Sequence, residues 1–81
     1  MLYLVDKPLA DAGFRAARDD PDGQVVLLQD GVLLEPDLDA PIYAVRADAE
    51  VRGVELPADV AAVDYDELLE LVFEQEVKSF V

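Results

Sequence analysis

Asp30 and Gly31 sit inside an apolar run, VVLLQDGVLL at Val25–Leu34. A carboxylate and a glycine at the end of a buried-looking strand suit either the edge of an active site or a point where another backbone comes close. The residue types present elsewhere decide how much chemistry that edge could perform. The chain has no cysteine, so it offers no thiolate nucleophile, disulfide or cysteine-based metal site. It has no histidine, which removes the usual general base and transition-metal ligand. Threonine is absent and Ser79 is the only serine, so a Ser-His-Asp arrangement cannot be assembled within one chain. Gly31 is followed by no glycine-rich spacing and is not a phosphate loop. These absences predict no catalytic residue, no metal site and no cofactor.

Carboxylates remain, and they are abundant. Nineteen acids face six bases, for a net charge of −13. The acids are scattered among apolar residues, which argues against both a disordered acidic tail and a carboxylate cage for a hard cation. Such a surface repels phosphate backbones, so direct nucleic-acid binding is not expected. Aspartate outnumbers glutamate and only Lys7 and Lys78 are lysines. That balance points to a salt-loving host; the competing explanation is an acidic face for a basic partner.

The elements that would position these residues fit one small domain, residues 1–81. Met1–Val5 is an apolar strand that meets Asp6 at once, too short for a signal-peptide core, and no run is long enough to span a membrane. A cytoplasmic location is expected. Pro8 suits the first turn of a helix whose stripe is Leu9, Ala12, Gly13, Ala16 and Ala17, with Phe14 off the stripe. DDPDG at 19–23 is a turn. Gln24–Gln29 is apolar on both faces in its middle, as a central parallel strand is. Only about one helical turn, at Gly31–Glu35, fits before the prolines at 36 and 41. Ile42–Val45 is a third strand, Asp48–Arg52 a short helix closed by Gly53, and Ala61–Val63 a fourth strand. Asp64 and Glu67 form a capping box opening a helix whose apolar side is Leu68, Leu69, Leu71, Val72 and Phe73. Val77–Val81 ends the chain as an edge strand. Alternating strands and helices predict an α/β fold, a three-layer α/β/α sandwich around a mainly parallel sheet of four to five strands.

In an open parallel sheet, ligands bind beyond the carboxyl ends of the strands. Here those ends carry Asp6, Lys7, Asp30, Arg46, Asp64 and Tyr65. Either polar residues close these strands because water begins there, or the convergence marks a functional edge.

The order of pieces resembles one family. The stretches VVLLQDGV, PIYAVRADAEVRG and VDYDELLELV, followed by VKSFV, are similar to the DsrH/TusB family of small sulfur-relay proteins, within the wider DsrE-like group. The resemblance spans nearly the whole chain. Its most specific parts are Leu28–Val32, Tyr43–Val45 with Asp48 and Arg52–Gly53, and Asp64–Tyr65. It implies the α/β/α fold, a role in cytoplasmic sulfur transfer toward thiolation of the tRNA wobble uridine, and assembly with DsrE-like and DsrF-like paralogous subunits. Some members carry a cysteine in or near the first helix, whereas residues 8–20 here hold none. Sulfane sulfur travels bonded to a second sulfur, so this chain cannot carry it covalently.

The expectation is therefore a non-catalytic subunit of a sulfur-relay complex, and the alternative a stand-alone regulatory or scaffold homodimer. Asp30 and Gly31 would shape the strand-end edge beside a partner. Val32, Leu33 and Leu34 enter a crossover too short to bury them all, so at least one should face another chain. Phe14 and Phe80 are further interface candidates.

Overall fold

Five four-residue apolar segments form the sheet: β1 (Leu2–Val5), β2 (Gln24–Leu27), β3 (Ile42–Val45), β4 (Val60–Val63) and β5 (Val77–Phe80). The computed structural model describes residues 1–81. The strands lie in the order β4-β3-β2-β1-β5, and every neighbouring pair is parallel. Three helices connect them: α1 (Ala10–Arg18), α2 (Arg46–Val51) and α3 (Tyr65–Glu74). Two 3-10 turns, Lys7–Leu9 and Gln29–Leu33, complete the carboxyl side of β1 and β2. The result is a three-layer α/β/α sandwich with a wholly parallel sheet.

Topology decides which helix covers which face. From β1 to β4 the chain steps outward one strand at a time, then α3 carries it back across the sheet to β5. Right-handed crossovers taken in opposite directions place their helices on opposite faces. Tyr3, Val5, Val25, Leu27, Ile42 and Ala44 accordingly point to one face, packed under Ala10 and Ala17 of α1, Val32 of the second 3-10 turn and Ala49 of α2. Leu2, Val26 and Val45 point to the other, where Leu68, Leu71 and Val72 of α3 meet them. Leu2, Val5, Val25, Val26, Leu27 and Val45 are wholly buried. Each contributes about 1.5–3 kcal/mol by leaving water.

The phase of α1 differs from the expected stripe. Its buried residues are Ala10, Gly13 and Ala17, with Phe14 and Ala16 half-buried, while Leu9 and Ala12 are exposed. Pro8 sits in a 3-10 turn capped by Asp6, whose Oδ1 accepts from the Lys7 N–H at 2.6 Å, so the α-helix begins only at Ala10. That start turns Phe14 onto the core, where it packs with the first cluster. Phe14 is thus half-buried against the core of its own chain. Phe80 also packs inward, its ring centroid 6.3 Å from that of Tyr3.

Element ends shift by one or two residues elsewhere. β2 stops at Leu27, α2 begins at Arg46, and the turn expected at residues 31–35 occupies Gln29–Leu33. The capping box forms as expected: Asp64 Oδ1 accepts from the Glu67 N–H at 3.0 Å, and Glu67 Oε1 from the Asp64 N–H at 3.3 Å. Gly53, at φ +63°, closes α2. No helix is long and apolar enough to cross a membrane.

Candidate functional site

The strand-end rim is built around the carbonyl of Val5. This last residue of β1 accepts a hydrogen bond from the Leu28 N–H at 3.1 Å. Gly31 lies directly against the same carbonyl oxygen, so close that no Cβ could be accommodated without a shift of backbone. The glycine in VVLLQDGVLL is therefore required by a close backbone approach inside the molecule. Gly31 is buried within its own chain and shapes the strand-end edge from the inside, through this close approach.

Gln29 enters the turn with φ +51°, a left-handed conformation uncommon for a residue with a Cβ. Its N–H donates to Asp48 Oδ2 at 2.7 Å, which ties the turn to α2. Strained backbone of this kind costs on the order of 1 kcal/mol or more and persists only where its surroundings hold it. Here the hold comes from Asp48 and from Arg52 one helical turn on. Arg52 Nε donates to Asp30 Oδ1 at 2.8 Å, and its Nη1 to the Asp48 carbonyl at 3.2 Å. The bond to Asp30 pushes the guanidinium above its ordinary value against the opposing effect of burial, and the charges of Asp30, Asp48 and Asp6 add to it. The arginine thus pairs with the Asp30 carboxylate and the Asp48 backbone carbonyl, in the field of two further carboxylates.

The remaining strand ends do not join this cluster. Arg46 Nη2 reaches the Ala62 carbonyl at 3.5 Å and is otherwise exposed. Asp64 is committed to the α3 cap, and Tyr65 is exposed on that helix. Lys7 is exposed without an ion pair. The rim holds Asp30 and Asp6 together with Asp48 and Arg52, residues singled out above only through the family resemblance. An Asp48/Arg52 pair at i, i+4 was a visible signal. The partner of Arg52 across 22 residues was not.

The three apolar residues after Gly31 part company. Val32 is 2% exposed and belongs to the core, and Leu34 is half-buried against it. A side chain as enclosed as Val32 offers no contact to another chain, so of the three expected contact residues Val32 is a core residue, whereas Leu34 keeps part of its surface open. Leu33 is 48% exposed. The two 3-10 turns pack against each other, and Leu9 is the exposed leucine of the other one. Leu9 and Leu33 are therefore the exposed leucines of two turns packed together at the rim, where Asp30 is also exposed.

At the opposite, amino end of the sheet an open cavity of about 420 Å³ lies between the end of α1 and the segment before β3, with Arg18, Asp20, Asp37 and Leu38 in its wall. Asp20 is held there by its neighbours. Its Oδ1 accepts from the Asp22 N–H and its Oδ2 from the Tyr3 hydroxyl, both at 3.0 Å. The Asp22 N–H, then the Tyr3 hydroxyl and the terminal ammonium, hold this carboxyl below its ordinary value, with burial opposing them. These bonds fasten the turn that opens β2.

No family model and no curated protein matches the chain. A solved structure does match. Protein Tm0979 from Thermotoga maritima, determined by solution NMR, is similar at a TM-score of 0.65 and 27% sequence identity. The match covers 94% of this chain and 95% of that one, so the likeness extends over the fold from end to end.

Proposed function

We propose that the chain is a cysteine-free, non-catalytic subunit of a sulfur-relay assembly of the DsrH/TusB kind, supporting 2-thiolation of the tRNA wobble uridine in the cytoplasm of a halophilic archaeon. Its partners in this reading are cysteine-bearing DsrE-like and DsrF-like paralogues. The observation that carries the reading is the exposed Leu9/Leu33 edge beside the braced Asp30–Arg52 rim. It is an apolar contact next to a fixed polar edge, on a chain with no thiol of its own. The halophilic host is supported by the placement of charge: Asp6 is the one buried acid, Asp20 and Asp48 are half-buried, and all the others are exposed.

Co-expression with DsrE-like and DsrF-like paralogues tests the proposal. A stable mixed complex is expected, in which persulfide loaded on a paralogue never appears as added mass on this chain. Leu33→Asp should weaken that complex by about 2–4 kcal/mol, because it places an unpaired charge in a dry contact. Circular dichroism of the variant alone should be unchanged. A chain that ignores every paralogue offered would favour the stand-alone scaffold.

A further inference from the structure

The two border strands of the sheet, β4 and β5, are closed to different degrees. In a parallel ladder the N–H and C=O of one residue point to the same side, and the side alternates along the strand. The Val25 N–H donates to the Pro41 carbonyl, so β3 turns Ile42 and Ala44 toward β4, and in the observed register β4 turns Val60 and Ala62 away from the sheet. Both of these are engaged. The Val60 N–H donates to the Pro57 carbonyl at 3.1 Å, and the Ala62 carbonyl accepts from Arg46 Nη2 at 3.5 Å.

β5 has no such cover. The Glu76 and Phe80 carbonyls accept from the Leu2 and Asp6 N–H groups at 2.8 and 2.9 Å, so Glu76, Lys78 and Phe80 face β1. Val77 and Ser79 therefore turn their N–H and C=O groups outward. Such a row of open backbone groups is a template for a further strand. The side chains alternate as well: Phe80 packs with Tyr3 on the α1 face and Val77 with the opposite cluster, which puts Lys78 beside Phe80 and Ser79 beside Val77. Lysine is a common guard of a sheet edge. Here the Lys78 ammonium lies 5.8 Å from the Phe80 ring centroid, over the ring and clear of the edge.

We propose that the occupant of this edge is β5 of a second copy, antiparallel about a two-fold axis at Ser79, so that two sheets join into one. The register follows from sterics and charge. Outward-facing residues oppose one another when the axis falls on Val77, Lys78 or Ser79. An axis at Val77 runs the second strand into the end of α3 at Glu74. An axis at Lys78 sets the two lysines directly opposite each other, which is destabilising. An axis at Ser79 bonds the Ser79 backbones to each other, sets Val77 against Val81, and places each Lys78 across from the Phe80 of the other copy. A lysine ammonium against an aromatic face contributes about 0.5–1 kcal/mol at an exposed site, and the two-fold makes the contact twice. Main-chain bonds carry the affinity of strand addition, and the opposed side chains select the register. α1 packs against both β1 and β5, so the joined sheet carries both α1 helices on one face, next to the joint. Each copy bears a net charge of −13, and the repulsion between them weakens as salt rises.

This contact is independent of the relay proposal, since Leu33 lies on the turn after β2 and not on β5. Amide hydrogen exchange reads the edge directly and separates it from association through any other surface. In about 3 M KCl, exchange at the Ser79 N–H should slow at least about 10-fold as protein concentration rises from dilute to millimolar, while Lys78 and Phe80, bonded to β1, stay protected throughout. The absence of cysteine supplies a second reading. Ser79→Cys should form an intermolecular disulfide under mild oxidation, because opposed residues of an antiparallel pair lie about 5.5 Å apart; Val77→Cys should not, because the two copies of that position lie roughly 14 Å apart. Ser79→Pro removes only an outward N–H and should leave the Val77 N–H exchanging freely. Lys78→Glu should raise the dissociation constant about 10-fold, with an unchanged circular dichroism spectrum. A Ser79 N–H that exchanges freely at every protein and salt concentration overturns the proposal, even where the chain associates by another surface. Protection of Ser79 that persists in dilute protein overturns it too, because the bond then lies within one chain. Cross-linking of Val77→Cys in preference to Ser79→Cys, or a dissociation constant unmoved by Lys78→Glu, overturns the register and the proposal with it.

Discussion

Gly31→Ala isolates the close approach on which the rim is built. Gly31 is not in the left-handed region, so alanine suits its backbone; what it meets is the Val5 carbonyl oxygen, with the Val5 carbon and Asp6 Cα each 3.3 Å from the added Cβ. All three are backbone atoms of β1 or the residue after it, and no rotamer change can relieve the clash. Overpacking of this kind costs about 1–3 kcal/mol. Moving the Val5 carbonyl also strains its hydrogen bond from the Leu28 N–H, worth about 1 kcal/mol more. The expected loss is roughly 2–4 kcal/mol, out of a total stability of about 4–12 kcal/mol for a chain of this length. Gly53→Ala is the control. No atom lies within 4 Å of its added Cβ, but φ is +63°, so its cost of about 1–2 kcal/mol is conformational alone. Urea melts of both variants at one protein concentration and one KCl concentration compare the two directly, with the slope expected to stay constant. A loss for Gly31→Ala below about 1 kcal/mol, or below that of Gly53→Ala, would refute the argument that Gly31 is fixed by the Val5 carbonyl.

Stability should rise as KCl increases from low to molar, because salt shortens the reach of acid–acid repulsion from about 10–30 Å to a few ångströms; a urea midpoint that is flat or falls with KCl contradicts this. Asp20 has a folded-state pKa below its ordinary value, so its contribution is complete above about pH 4 and is lost as pH falls through the folded value. Asp20→Asn should therefore lower stability at neutral pH and flatten the urea midpoint between about pH 4 and 2, whereas an unchanged acid limb would assign that limb to other carboxylates. Leu33→Asp and Phe73→Asp should each change the stability of the isolated chain by no more than about 0.5 kcal/mol, because both side chains are exposed, and their effects should add in the double variant; a loss above about 2 kcal/mol for either would place it in the core.

Much of this fold was legible because local chemistry and tertiary demand agree. Alternating apolar segments became strands, Asp64 and Glu67 capped α3, and Gly53 ended α2. The misses share a cause. The phase of α1 was set by where the 3-10 turn over Pro8 released the chain, and a one-residue delay rotates a helix by about 100°, enough to bring Phe14 inward. Val32, Leu33 and Leu34 are alike in hydropathy, and only the tightness of the 3-10 turn separates the buried one from the exposed one. The Asp30–Arg52 pair joins residues 22 apart and leaves no periodic trace. In α3 the five apolar residues formed one continuous side, but a flat sheet takes up only part of such an arc.

Both exposed apolar surfaces follow from economies in a short chain. The link from β2 to β3 is held to one 3-10 turn and an extended segment, which leaves Leu33 at the rim where a full crossover helix would have covered it. The return from β4 to β5 is made by a single helix, which leaves Tyr65, Leu69 and Phe73 beside an open half of the second face. A monomer could hide either surface only by growing, since the fraction of surface a chain can bury rises with its length. Association hides the same surface with no added residues, and the two economies fall on opposite faces. Leu33 at the rim and the exposed side of α3 are therefore two separate surfaces, and covering one leaves the other open.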